Sequence, residues 1–133
     1  MSTPESRPEI DDDVIELAGM VFDAARAGDT EGIRHYLDAG VPVNLTNGSG
    51  DNLLMLASYH GHAELTALLV ERGADVNTRN DRGQTPLAGA AFKGYVEIFR
   101  LLVEAGADPD AGSPTGRDTA GFFKRQEMLD LLG

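Results

Sequence analysis

The residues of this chain best suited to chemistry are its three histidines, and two of them, His60 and His62, flank Gly61. Two imidazoles so close could touch a transition metal, with a carboxylate such as Glu64 recruited as a further ligand. No third ligand follows at metal-site spacing, and a solvated turn is the simpler reading. Ser58 beside His60 has the look of a nucleophile next to its base. It falls, however, in register with Ala25 and Ala91, which marks a small-residue packing position on a helix. His35 lies in "IRHYL", the pattern of a partly exposed helix residue. The nucleophile elbow Gly-x-Ser-x-Gly, the phosphate-binding glycine loop and His-Glu-x-x-His are all absent from the sequence. The acids are scattered over prospective helix faces and caps, with no pair set up for acid–base work. The expectation is a protein that is not an enzyme and needs neither metal nor cofactor.

Composition narrows the remaining options. The 133 residues carry a formal charge of -11. That balance excludes affinity for nucleic acid, which rests on Lys and Arg displacing counterions from phosphates. It also excludes attraction to anionic membrane surfaces. Cysteine is absent, which removes disulfides and thiolate metal sites. The opening "MSTPESRPEIDDD" has no apolar core of a signal segment, and no run is long enough to span a bilayer. Residues 1–10 read as a disordered acidic tail. A soluble cytoplasmic protein is the expectation.

A period of 33 residues then organises the chain. "LDAGVPVN" at 37–44, "VERGADVN" at 70–77 and "VEAGADPD" at 103–110 are copies of one phrase. Nine of the 16 glycines fall in three phases: Gly28, Gly61 and Gly94; Gly40, Gly73 and Gly106; Gly50, Gly83 and Gly116. Each phase predicts a backbone position at positive φ, where glycine carries no steric penalty. Between them, apolar residues recur at helical spacing, as in Leu65, Leu68 and Leu69, or Ile98, Leu101 and Leu102. Gly73 and Gly106 stand where a left-handed residue ends a helix. Asn52, Thr85 and Asp118 share the phase of an N-cap, and Pro86 follows Thr85 at the first helical position. At the start of the first unit, Asp13 and Glu16 have capping-box spacing. The polar connector "ADVNTRNDRGQ" is rich in turn formers and predicts a hairpin-like finger. Asn44, Asn77 and Asp110 share a phase from which a short polar side chain can bond nearby backbone.

A 33-residue unit of finger, helix, tight turn and helix, with "DRGQTPLAGAAFKGYVEIFRLLVEAGADPD" at 81–110 and a looser copy at 50–77, resembles the ankyrin repeat. The resemblance implies an all-α solenoid of stacked antiparallel helix pairs over residues 11–133, with approximate repeats 14–46, 47–79, 80–112 and 113–133. The chain departs from the pattern in places. Ala88, Met55 and Phe22 occupy the phase of the family's histidine, which leaves its bonds between repeats without their usual source. The last unit is short, since "EMLDLL" at 127–132 aligns with "EIFRLL" at 97–102 after a loss of three residues.

Arrays of this kind bind proteins through fingertips and the concave face of the first helices. Carried onto this chain, that implies a protein partner held by Ser49, Asp51, Asp81, Arg82, Gln84, Thr115 and Arg117 in the fingers. Arg26, Tyr59, His60, Phe92 and Lys93 complete the surface on the first helices. Tyr59 and Phe92 share one phase, so stacking predicts neighbouring rings inside a basic strip on an acidic protein. The competing expectation is that both rings pack between helices. A monomer is expected. The alternative function is a self-associating scaffold that uses the apolar residues of the terminal repeat, Met128, Leu129, Leu131 and Leu132.

Overall fold

A computed structural model describes residues 12–133. The tail expected at 1–10 lies outside the described residues. The elements are α1 (Asp12–Ala27), α2 (Thr30–Asp38), α3 (Leu53–Tyr59), α4 (Ala63–Glu71), α5 (Pro86–Lys93), α6 (Val96–Glu104), α7 (Gly116–Phe122) and α8 (Gln126–Leu131). Odd-numbered helices touch the next odd helix and even-numbered ones the next even helix, so the pairs stack as two layers. Among the described residues β-structure is limited to one antiparallel bridge, Thr46 with Asn52, at the base of a finger. The all-α solenoid is the observed architecture.

Local chemistry accounts for the helix ends. Asn52 Oδ1 accepts the Met55 N–H at 2.8 Å, and Thr85 Oγ1 accepts the Ala88 N–H at 3.2 Å. At the other end, Gly73 and Gly106 take φ of 88° and 96°. The residues around them close two crossed bonds on the last turn, Gly106 N–H to Val103 O at 3.0 Å and Ala107 N–H to Leu102 O at 2.9 Å. The core lies between the layers and runs from Val21, Ala25 and Ile33 through Leu54, Leu65, Leu69 and Leu87 to Phe99, Leu102 and Met128. Burying a side chain of this size is worth roughly 1.5–3 kcal/mol, so each unit depends on its neighbours to hide its stripe.

Four expectations are corrected. Thr115, not Asp118, caps α7, its Oγ1 accepting the Asp118 N–H at 2.9 Å. Gly116 is accordingly the buried first residue of α7 and does not share the positive φ of the other eight phased glycines. Both follow from where the three residues are missing: in the finger between Asp110 and Thr115, ahead of the helix pair. From Thr115 onward the register is 30 instead of 33, and Lys124 occupies the left-handed place of Gly94 with φ 55°. Third, α1 already includes Asp13, which is therefore inside the helix and not its cap. Fourth, Asn44 and Asn77 do not bond nearby backbone. Their Oδ1 atoms accept the N–H groups of Asp75 at 2.9 Å and Asp108 at 2.7 Å, each in the following repeat.

These asparagines share the stapling of repeats with the residue after two of the inter-helix turns. His62 Nε2 lies 2.6 Å from the Arg26 carbonyl. Arg125 donates to the Ala91 and Phe92 carbonyls at 3.0 and 3.1 Å. At these two turns the side chain reaches back to the C-terminus of the preceding first helix and supplies bonds between repeats.

Candidate functional site: an aromatic groove

The last turns of α3, α5 and α7 run side by side, because the odd-numbered helices stack directly on one another. That register aligns Tyr59, Phe92 and Phe122, and beside them His60, Lys93 and Phe123. The residues beneath are small, Ala88 and Gly89 on α5 and Thr119 on α7, so a groove of about 480 Å³ opens among the rings. Gly89 has a specific role: a Cβ there would sit 3.2 Å from Tyr59 Cδ1, so its absence lets the ring lie against α5.

The rings do not close the groove by packing into the core. Tyr59 is 40% exposed, Phe92 51%, Phe123 40% and Phe122 79%. The core reading of Tyr59 and Phe92 is thus overturned. They line the same groove but are not stacked on each other. Phe92 meets Phe123 edge-on at 5.5 Å, Phe123 meets Phe122 at 5.0 Å, and Tyr59 meets the His60 imidazole at 5.7 Å. Lys93 Nζ lies 4.8 Å from the Tyr59 ring centre, a cation–π contact.

A second, polar hollow of about 300 Å³ adjoins the first, sharing Met55, Tyr59 and Gln84 with it. Arg26 and Arg82 bring positive charge to it, His60 lines it between them, and Ser49 and Asp51 line its finger side. Its finger wall is rigidly wired by Asn80. The Asn80 amide donates to Asp51 Oδ1 at 3.0 Å and Gln84 Oε1 at 2.8 Å, while its oxygen accepts the Arg82 and Gln84 N–H groups. Asp81 N–H donates to the Ser49 carbonyl at 3.0 Å and joins two fingers. Arg26 is partly neutralised by Asp23 at 2.9 Å. The His60 imidazole is held below its usual value, first by burial and then by the charges of His62, Lys93 and Arg26. The positive groups are therefore close enough to feel one another.

Of the twelve residues expected in the recognition surface, eight line these two hollows, and Asp81 and Lys93 adjoin them through Ser49 and Tyr59. Thr115 and Arg117 do neither. Thr115 caps α7, and Arg117 pairs with Asp110 at 2.9 Å, an ion pair that lowers the Asp110 carboxyl and raises the guanidinium. Sequence reasoning missed Phe122 and Phe123. Placing the three-residue loss before Thr115 would have put Phe122 in the phase of Tyr59 and Phe92. Among the described residues, no cluster of three or more His, Cys, Asp or Glu side chains is arranged to hold a metal.

A family profile described as "Ankyrin repeats (3 copies)" matches residues 21–113. The ankyrin repeat protein PA3287 of Pseudomonas aeruginosa is 47% identical over 66 residues, covering 50% of this chain and 39% of that protein. The chain therefore aligns with about two-fifths of that relative's length.

Proposed function

Because this chain belongs to the ankyrin repeat family, whose members are in general protein-interaction modules, we propose that it is a non-catalytic cytoplasmic module that binds a partner protein in the aromatic groove and along the adjoining fingers. Among the described residues no helix is long and apolar enough to cross a membrane. The observation that carries the reading is four exposed aromatic rings along one groove, in a protein whose interior ring Phe99 is fully buried. Aromatic and arginine side chains dominate binding energy at interfaces, and burying each large apolar side chain is worth roughly 1.5–3 kcal/mol. Arg26, Arg82 and Lys93 lie beside the rings, interleaved with Asp51 and Asp118, on a protein of net charge -11. That local concentration of positive side chains on an acidic protein favours an acidic or apolar partner segment.

Affinity capture from the native lysate tests this, comparing the wild type with the Tyr59→Ala, Phe92→Ala double variant. Loss of a specific partner from a variant whose helical dichroism and melting are intact is the expected result. A folded variant that captures the same proteins at full strength would place recognition elsewhere, on the fingertips around Asp81, Arg82 and Gln84.

A further inference from the structure

A second surface of the molecule is exposed, apolar and acidic, and it lies at the opposite end of the first-helix layer. Helix α1 starts at Asp12, whereas its register with α3 and α5 would start it at Met20. Residues 12–19 thus overhang the stack by about 12 Å at 1.5 Å per residue. The overhang extends the apolar stripe of α1 beyond the core that the stripe serves. Val14 and Ile15 are each 56% exposed, and Leu17 and Met20 are exposed with them. Asp12 and Glu16 stand on the same two turns. At the other end of the stack the start of the outer helix is polar. The outer helix α7 places exposed Arg117 where α3 and α5 place buried Leu54 and Leu87. Met128 of the terminal repeat, expected to be an uncovered apolar residue, is fully buried, and Leu129, Leu131 and Leu132 are half-buried.

We propose that the overhanging end of α1 docks in the aromatic groove of a second copy of this chain, in a reciprocal pair in which each copy gives its α1 end and receives the other's. Each surface has what the other lacks. The groove offers exposed rings with Lys93 beside Tyr59 and Asp118 in its wall, and it opens onto the hollow that holds Arg26 and Arg82; the overhang offers aliphatic side chains bordered by Asp12 and Glu16. An amphipathic helix laid in a groove is a standard mode of recognition. Docking within one copy is excluded by the helix itself. α1 is continuous to Ala27, so its Asp12 end points away from the last turns of α3 and α5, where the groove lies. A single two-turn helix buries less area than a stable complex needs, and reciprocal exchange doubles it. Net charge of -11 on each copy opposes the pair and keeps it weak. The pair would mask the groove until a tighter partner displaces α1. The inference rests on the groove being a docking surface and adds self-masking to it.

Sedimentation equilibrium of the purified full chain, over about 5–500 µM, is the test. The average mass should climb from 14.1 kDa and level off at twice that value. Ile15→Asp with Val14→Asp, or Phe92→Ala with Phe122→Ala, should each hold the protein at monomer mass. All four residues are exposed, so the fold should survive. Should the ring variant unfold, Arg82→Glu with Lys93→Glu replaces it. An equimolar mixture of the α1 and groove variants should associate again, more weakly than the wild type, because one intact α1 can meet one intact groove. A wild type that stays monomeric overturns the pair, as does association that survives either variant or grows past twice the mass. A mixture that fails to associate also overturns it. If the pair fails while lysate capture still depends on Tyr59 and Phe92, only the self-masking is lost. If neither self-association nor capture responds to the ring variants, the docking reading of the groove falls too.

Discussion

The third and fourth repeats are built on the same plan, and the finger that leads into the fourth helix pair has lost three residues. Repeat three opens with Thr85 and Pro86, closes its first helix at Gly94 with φ 80°, and seals its second helix with Gly106. Repeat four caps with Thr115, starts α7 on Gly116, and makes the same turn with Lys124. The deletion is absorbed in the finger, where no core contact is lost, and the helix pair keeps its internal spacing. A connector tolerates shortening because its length enters only through closure of a loop. A helix cannot, because losing three residues rotates its apolar stripe off the core.

The comparison is most sharply tested in the core. Leu102 of α6 is fully buried, and Leu132, in the same register just past the end of α8, is only half-buried. Leu102→Ala should cost about 2–5 kcal/mol, the range for truncating a buried leucine. Leu132→Ala should cost less than half as much. Urea unfolding followed by helical dichroism measures both. Equal losses would mean that the terminal repeat is as tightly held as an internal one.

Left-handed positions come next. No atom lies within 4 Å of a Cβ built on Gly73 or Gly106, so substitution there tests torsion alone. Gly73→Val and Gly106→Val should each lower stability by about 1–3 kcal/mol. Lys124→Gly should act in the opposite sense, raising stability by about 1 kcal/mol as the strain of a side chain in that region is relieved. A thermal midpoint that does not rise in Lys124→Gly would show that the lysine contributes a contact worth its strain.

The cap assignment predicts a smaller difference. Thr115→Ala should cost about 1 kcal/mol, the usual price of removing an N-cap hydroxyl. Asp118→Asn should cost at most about 0.3–1 kcal/mol, since its charge faces the helix dipole only from an exposed first-turn position. A reversed order in chemical denaturation would restore the 33-residue register through α7.

That reversal marks how far the sequence could be read. Period, helix pairs, eight of the nine phased glycines and the caps at Asn52 and Thr85 were legible, because each is set by the backbone geometry of a few consecutive residues. The position of the three-residue loss was not, because a gap in a polar finger leaves no hydrophobic trace. The misplacement carried Thr115 and Arg117 into the recognition surface and left Phe122 and Phe123 out. The rings of Tyr59 and Phe92 were legible as a pair in one phase, but their exposure depends on Gly89 and on the rings of α7, three-dimensional neighbours that periodicity does not specify. The overhang of α1 was visible as a long helical pattern. That its apolar side stays uncovered could be seen only once the stack was built.

The smallest expected effect concerns how the aligned positions His60, Lys93 and Phe123 change along the groove, basic in repeats two and three and apolar in repeat four. His60 is held below the ordinary 6.5 by burial first, then by His62, Lys93 and Arg26. A lowered folded-state value means that the native protein binds the proton less readily than the unfolded chain does. The associated stability is present above pH 6.5 and is lost as the pH falls through the folded-state value. Lys93→Gln should move His60 upward toward 6.5, because a neighbouring positive charge is removed while burial stays. Phe123→Ala should leave it in place, since that ring carries no charge and is not among the causes of the shift. The Cε1–H resonance of His60, followed by proton NMR from pH 4.5 to 8, reads both. A wild-type midpoint at or above 6.5 would show that the basic end of the groove is too open for its charges to act on one another. The electrostatic difference between the two ends, and with it the preference for an acidic partner segment, would then lose its support.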